Sequence, residues 1–219
     1  MGSLRQNLQY ISLIRWKDKL NLLFSIAFDL KSIHSQNIIH RDLHSDNILQ
    51  DNLHSAYIAD LGLSIQYLKQ KDSEVYGVLP YVAPEILNGQ QPTMASDIYS
   101  FGMIMWEVLY TKPVMNYHES NDVLKTIDGL RPPINNEAPQ CYVNLMERCW
   151  NQNPEKRPSA KELCEVFKKW HDHDQILKEL NESKLIIPEH IRNSDINANN
   201  GSKLINLSRN SDHDFIINI

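Results

Sequence analysis

His40-Arg41-Asp42-Leu43-His44-Ser45-Asp46-Asn47 is the stretch on which the reading of this chain turns. It is too polar and too aperiodic for a helix or a buried strand, so it reads as a loop. The residues before it do not. From about Trp16 to His34, Leu20, Leu23, Ala27 and Leu30 share one helical face and Leu22, Ile26 and Ile33 cover another. That spacing predicts a helix buried on most sides. After the loop, Ile48-Leu-Gln and Ala56-Tyr-Ile-Ala59 flank Asp51-Asn-Leu-His, which predicts a short hairpin. Asp60-Leu61-Gly62 follows at once, thirteen residues beyond Asn47.

Further out, the chain alternates helical periods with punctuation. Ser3-Leu-Arg-Gln6 has capping-box spacing and opens a short helix. Ser64 to Gly77 has no strong period and reads as a loop. Ala83-Pro84-Glu85 closes that region, and an apolar helix is expected from about Ala95 to Tyr110, ending before Pro113. Helices are also expected near Asn121–Asp128 and Tyr142–Trp150. Ser159-Ala-Lys-Glu162, directly after Pro158, is a second capping box, and its helix should reach Trp170. Beyond His171, Asn, Ser, Asp and Ile alternate without period. Residues 172–219 are expected to be a weakly ordered polar tail with a helical start at Gln175–Leu180. The folded part, 1–171, is therefore mainly α with a short β-hairpin.

Taken in order, His40-Arg41-Asp42, Asn47, Asp60-Leu61-Gly62 and Ala83-Pro84-Glu85 resemble the signature set of the eukaryotic protein kinases. Ser96-Asp97 followed by Phe101-Gly102 resembles the start of that family's central helix. Cys149-Trp150, Pro154 and Arg157-Pro158 resemble its closing segment. The resemblance covers about Gly2 to Trp170. A single triplet such as Asp-Leu-Gly is common by chance; five landmarks in order over more than a hundred residues are not. The fold implied is the helical C-terminal lobe of a protein kinase domain. Gly2-Ser3-Leu4 resembles the point just after the hinge between lobes. No Gly-rich loop and no Val-Ala-Ile-Lys strand occur in the sequence, so the β-rich N-terminal lobe is expected to be missing from it.

The resemblance also implies chemistry. Phosphoryl transfer needs positioning and charge neutralisation more than covalent work by the protein. Asp42 matches the family's catalytic base. Asn47 and Asp60 match its two magnesium ligands, brought together by the hairpin between them, and hard oxygen donors suit that ion. Leu49 matches the apolar floor under the adenine of ATP. Arg41 resembles the arginine that pairs with a phosphorylated residue in the activation segment, here Asp60 to Glu85. Ser64, Tyr67, Ser73 and Tyr76 are its candidate acceptors. Glu85 and Arg157 match a buried ion pair, and Asp97 matches the residue that holds the catalytic loop's backbone. The activity implied is phosphoryl transfer from ATP with Mg²⁺ to Ser or Thr of a protein substrate, with Tyr left open. The closing segment resembles the tyrosine-kinase-like group.

Some positions depart from the family pattern. His44 stands where Ser/Thr kinases usually carry a lysine that touches the transferred phosphate. Val78 stands where they carry a threonine bonding that lysine and the base. Leu61 replaces the usual phenylalanine. These departures, with the missing lobe, keep a second reading open: a non-catalytic, pseudokinase-like interaction module or inactive fragment that binds a kinase or scaffold partner. Asp42, Asn47 and Asp60 together favour the enzyme. Tight MgATP binding is not expected of these residues alone.

Composition sets the remaining bounds. A net charge of −5 with mixed signs argues against nucleic acid as a partner. No apolar run has the length of a membrane span. Cys141, Cys149 and Cys164 are odd in number, fit no metal spacing and read as thiols in a reducing, cytoplasmic setting. Met1-Gly2-Ser3 invites a myristoylation reading, but Gln6 occupies the position where Ser or Thr is needed. His40 reads as a packed structural histidine. His171 and His173 read as solvated, and the aromatic residues near 106–117 as core.

Overall fold

The computed structural model describes residues 2–64, 77–114 and 127–182, together with the backbone of 65–66, 75–76, 203–209 and 215–218. Ser3 caps the first helix as its spacing predicts. Ser3 Oγ accepts the Gln6 N–H, and Gln6 Oε1 accepts the Ser3 N–H at 3.1 Å. Strand β1 is Gly2–Ser3 and helix α1 is Leu4–Ile11. Helix α2 spans Trp16–Ser35 and buries Leu20, Leu22, Leu23, Ile26, Ala27 and Leu30, the two faces that the periodicity marked. Strand β2, Ile38–Ile39, leads into the polar loop, which ends in a 3-10 turn at Ser45–Asn47.

The expected hairpin is β3, Ile48–Asn52, and β4, Ser55–Ile58, with Leu49 opposite Tyr57. β1 pairs on the other edge of β3, so the sheet order is β1-β3-β4. α2 closes the remaining edge with side chains. Ser25 Oγ accepts the Ala56 N–H and Asp29 Oδ2 accepts the Ile58 N–H, each at 3.1 Å. The stretch expected to be loop from Ser64 to Gly77 carries two short strands. β5, Ile65–Gln66, pairs with β2, and β6 is Val75–Gly77. Strands of two or three residues leave no period for a sequence to show; the partner across the molecule makes them. Tyr67 and Ser73 lie outside the described residues.

Helix α3, Pro84–Leu87, is followed by α4, Met94–Tyr110, in which every residue from Ser96 to Tyr110 is buried. A helix apolar on nearly all sides belongs at the centre of a helical domain. Most of the helix expected at 121–128 lies outside the described residues. α5 is Gln140–Cys149 and α6 is Ala160–His171. Ser159 Oγ accepts the Glu162 N–H, but the Glu162 carboxylate turns to Arg148, at 2.6 Å, so only half of the expected capping box forms. Trp106, Tyr99, Tyr110, Tyr142, Phe101 and Phe167 are the largest fully buried side chains, and Tyr142 donates to Met105 O at 2.8 Å. Cys149 and Cys164 are buried and Cys141 half-buried, all as free thiols.

α7, Asp174–Glu182, is the helical start expected after His171. Inside the segment expected to be weakly ordered, β7, Lys203–Arg209, pairs antiparallel with β6, and β8, Phe215–Asn218, pairs with β7. Among the described residues, no helix is long and apolar enough to cross a membrane.

Candidate active site

Asp97, in the first turn of α4, organises the polar loop. Its Oδ2 accepts the His40 N–H at 2.9 Å and its Oδ1 accepts the Arg41 N–H at 3.0 Å. His34 Nε2 lies 2.8 Å from the same Oδ2. A buried carboxylate is tolerable only with several such contacts. They hold Arg41 at φ 73°, a left-handed conformation that costs an arginine about 1–3 kcal/mol and persists where the surroundings over-determine it.

His40 is fully buried and ties the loop to the far end of the hairpin. Its Nε2 donates to Ala59 O at 3.1 Å, and its Nδ1 accepts the Asp42 N–H at 3.3 Å. Both nitrogens are thereby committed to backbone, which fits a structural role. Asn47 O accepts the Ala59 N–H at 2.8 Å. Ala59 is thus gripped through both its N–H and its carbonyl, and Asp60 is carried next to Asn47.

Asp42 is buried, and its Oδ2 accepts from Asn47 Nδ2 at 3.2 Å. The same Nδ2 donates to Asp42 O at 2.9 Å. A carboxylate and a carbonyl can only accept, so they fix which end of the Asn47 amide faces Asp42. Asn47 Oδ1 points elsewhere and has no hydrogen-bond donor among the described residues. Asp60 is exposed, at φ 59°, and its Oδ1 accepts the Gly62 N–H at 3.1 Å. Oδ2 is left open. Two uncommitted hard oxygens, on Asn47 and Asp60, are a donor set that fits magnesium, which keeps several waters and needs few protein ligands. Leu49 is half-buried in β3, between Ser3 and Tyr57 across the sheet. Leu61 is half exposed.

Several participants carry no motif. Gly77, at φ 136°, comes so near the loop that an added Cβ would stand 3.7 Å from Asp42 Oδ1 and 3.0 Å from Val82 Cγ2. His34 could not be told from any other histidine at a helix end. Arg5 Nη1, from α1, lies 3.4 Å from Asp46 Oδ2. Beneath the loop, Ser45 Oγ lies 3.1 Å from the Tyr81 hydroxyl, which donates to Glu107 Oε1 at 2.6 Å. No motif in the sequence pointed to that chain. By contrast, His171 and His173 belong to no group of three or more His, Cys, Asp or Glu that could hold a metal ion among the described residues.

Residues 1–167 match the model of the protein tyrosine and serine/threonine kinase family. The chain belongs to the protein kinase family. It is 35% identical over 167 residues to a serine/threonine-protein kinase/receptor named in Acanthamoeba polyphaga mimivirus, covering 74% of this chain and 10% of that protein. It is 31% identical over 175 residues to the dual specificity protein kinase shkC of Dictyostelium discoideum, covering 74% and 34%. It is 30% identical over 207 residues to the human ankyrin repeat and protein kinase domain-containing protein 1, covering 86% and 26%. The chain therefore spans about a third or less of these relatives' lengths.

Within this protein kinase sequence, the departures at 44 and 78 take a definite form. His44 is buried, with Nε2 3.5 Å from Asp42 Oδ2 and Nδ1 accepting the Asp46 N–H at 3.3 Å. Its ring tilts against Tyr81, 5.8 Å between centroids. Val78 is buried in the apolar core. A histidine attends the Asp42 carboxylate where a lysine and threonine pair would otherwise stand.

The remaining family landmark is fully formed. Arg157 Nη1 and Nη2 donate to Glu85 Oε1 and Oε2, each at 2.7 Å, a bidentate buried pair. Arg157 also donates to Asn151 O and Ala95 O, at 2.8 and 2.9 Å. The Ala83-Pro84-Glu85 stretch is thereby fastened to the start of α4 and to the turn before α6.

Proposed function

We propose that residues 1–171 are the C-terminal lobe of a protein kinase domain, and that the domain transfers the γ-phosphoryl group of ATP to Ser or Thr hydroxyls of a protein substrate. Residues 172–219 are its tail. Asp42 is the catalytic base: its carboxylate accepts the substrate hydroxyl's hydrogen bond and takes the proton as the oxygen attacks phosphorus. Asn47 Oδ1 and Asp60 hold magnesium, which when bound with ATP neutralises phosphate charge. Leu49 lies under the adenine. His44 steadies the Asp42 carboxylate by a donor 3.5 Å away. A Gly-rich loop and its lysine strand are not among the 219 residues, so the groups covering the phosphates come from outside them.

The observation that carries this reading is the Asn47 side chain. Its Nδ2 is spent on Asp42 and its Oδ1 is not. One residue therefore links base and metal geometry, an arrangement that a purely structural loop has no reason to keep. The test is Asp42→Asn in the chain joined to a nucleotide-covering lobe. Asparagine keeps the shape and cannot take the proton. Transfer of radiolabelled phosphate to a generic protein substrate should fall by about 10²–10⁴-fold, the usual worth of a general base, with the melting curve unchanged. Retention of most of the activity would refute the assignment.

A further inference from the structure

Glu107 stands in the last turn of α4 with no solvent exposure. Its Oε1 accepts the Tyr81 hydroxyl at 2.6 Å and the Val114 N–H at 2.9 Å. Its Oε2 has no hydrogen-bond partner among the described residues. Tyr81 spends its proton on Glu107, so the Ser45 hydroxyl, 3.1 Å away, is the donor to Tyr81. The result is a directed chain of hydrogen bonds, Ser45 to Tyr81 to Glu107. It runs from the catalytic loop, through the turn preceding Ala83-Pro84-Glu85, to the central helix. Ser100 Oγ donates to Tyr81 O at 2.8 Å and fixes the same residue through its backbone.

Two demands on Glu107 oppose each other. A buried oxygen without a donor favours the neutral carboxyl. A 2.6 Å O–H···O contact has the length of a charge-assisted bond and favours the carboxylate. We propose that Glu107 is a positioning residue for the catalytic loop, acting through Tyr81 and Ser45, and that its ionisation sets how firmly the loop is held. The claim for catalysis rests on the kinase reading; the claim for the hydrogen-bond chain does not.

Ionised, Glu107 pulls hard on the Tyr81 hydroxyl, and Tyr81 presents its oxygen squarely to Ser45. Protonated, Glu107 accepts weakly and the chain slackens. Burial pushes the Glu107 carboxyl up to about 7, so both forms are present near neutral pH. Tyr81, itself pushed well up by burial and by Glu107, meets it from the turn, the Val114 N–H donates to it, and the Ser45 hydroxyl lies close by. Arg5 on α1 is a facing cation and pulls it back down, the last of the causes. His44, next to Ser45 in sequence, tilts its ring against Tyr81.

The test is a pH titration of the chain followed by carbon-13 and amide resonances. The Glu107 carboxyl carbon should titrate with a midpoint near 7, and the Ser45 amide shift should follow the same midpoint. In Tyr81→Phe the Glu107 titration should persist while the Ser45 response is lost; in Glu107→Gln both should vanish. In phosphate transfer by the chain joined to a nucleotide-covering lobe, kcat should rise through that midpoint with the substrate KM unchanged, and Glu107→Gln should lose the step. A Glu107 midpoint in the ordinary carboxylate range, or a Ser45 amide indifferent to it, overturns the proposal. Absence of phosphate transfer at every pH would count against the kinase reading, while the resonances would still decide the role of Glu107.

Discussion

Asp42, Asn47, Asp60, Glu85, Asp97 and Arg157 could all be picked out in the sequence, because each belongs to a local motif or a fixed offset. Gly77 and Glu107 could not, because what matters about them is the atom opposite. Arg157 shows how much one side chain can carry. Its side chain is wholly buried, and it donates to Glu85, Ala95 and Asn151 at once. Removing one partner of a buried pair leaves an uncompensated charge, at a cost of about 3–5 kcal/mol. For a chain of this size that is a fall in melting temperature of roughly 6–20 °C. Arg157→Ala should show it in a circular-dichroism melt, and an unchanged curve would mean that Glu85 finds water instead.

The helices α1, α2, α4, α5 and α6 were readable from period and caps, with ends shifted by a residue or two. β2 and β5 were not, since each has only two residues and exists through the other. Glu162 illustrates the limit of local rules: Ser159 caps its N–H, yet Arg148 takes its carboxylate from the end of α5. The contact between α4 and α5 rests on Gly102. A Cβ there would lie 2.9 Å from Cys149 Cβ and 3.2 Å from Trp150 N. Neither obstacle is the loose end of a flexible side chain, so the helices would have to part. Overpacking costs about 1–3 kcal/mol, against a gain of about 1 kcal/mol in helix propensity for alanine over glycine. Gly102→Ala should therefore lower the melting temperature and speed thiol labelling of buried Cys149. A more stable variant would show that the α4–α5 spacing has slack.

For the molecule as a whole, Glu107 links stability to pH. Its folded-state value, about 7, is raised above its ordinary value of 4.5 by burial. A carboxyl whose folded value is raised contributes stability that is full below the unfolded value and lost as pH rises through the folded one. Stability should therefore decline between about pH 4.5 and 7, by an amount of order 3 kcal/mol from this group alone. Chemical denaturation across that range measures it, with Glu107→Gln as the comparison that lacks the slope; equal slopes in both proteins would assign the decline elsewhere. The same ionisation that weakens the fold tightens the hold on Tyr81, so the pH of greatest stability and that of the best-held loop are expected to differ.

Motif order and helical period were enough to define a mainly helical protein kinase sequence and to single out the loop after α2 as its candidate site, because those signals are local: a cap, a face, a fixed count of residues. They also named Asp97 and the Glu85–Arg157 pair through resemblance. What awaited the folded chain was everything set by approach from a distance. Packing turned His44 inward against Asp42 and Tyr81, brought Gly77 close to Asp42, and buried Glu107 beneath the catalytic loop with one oxygen satisfied and one not. Burial and hydrogen-bond geometry depend on residues tens of positions apart, and no window of sequence contains both ends of such a contact.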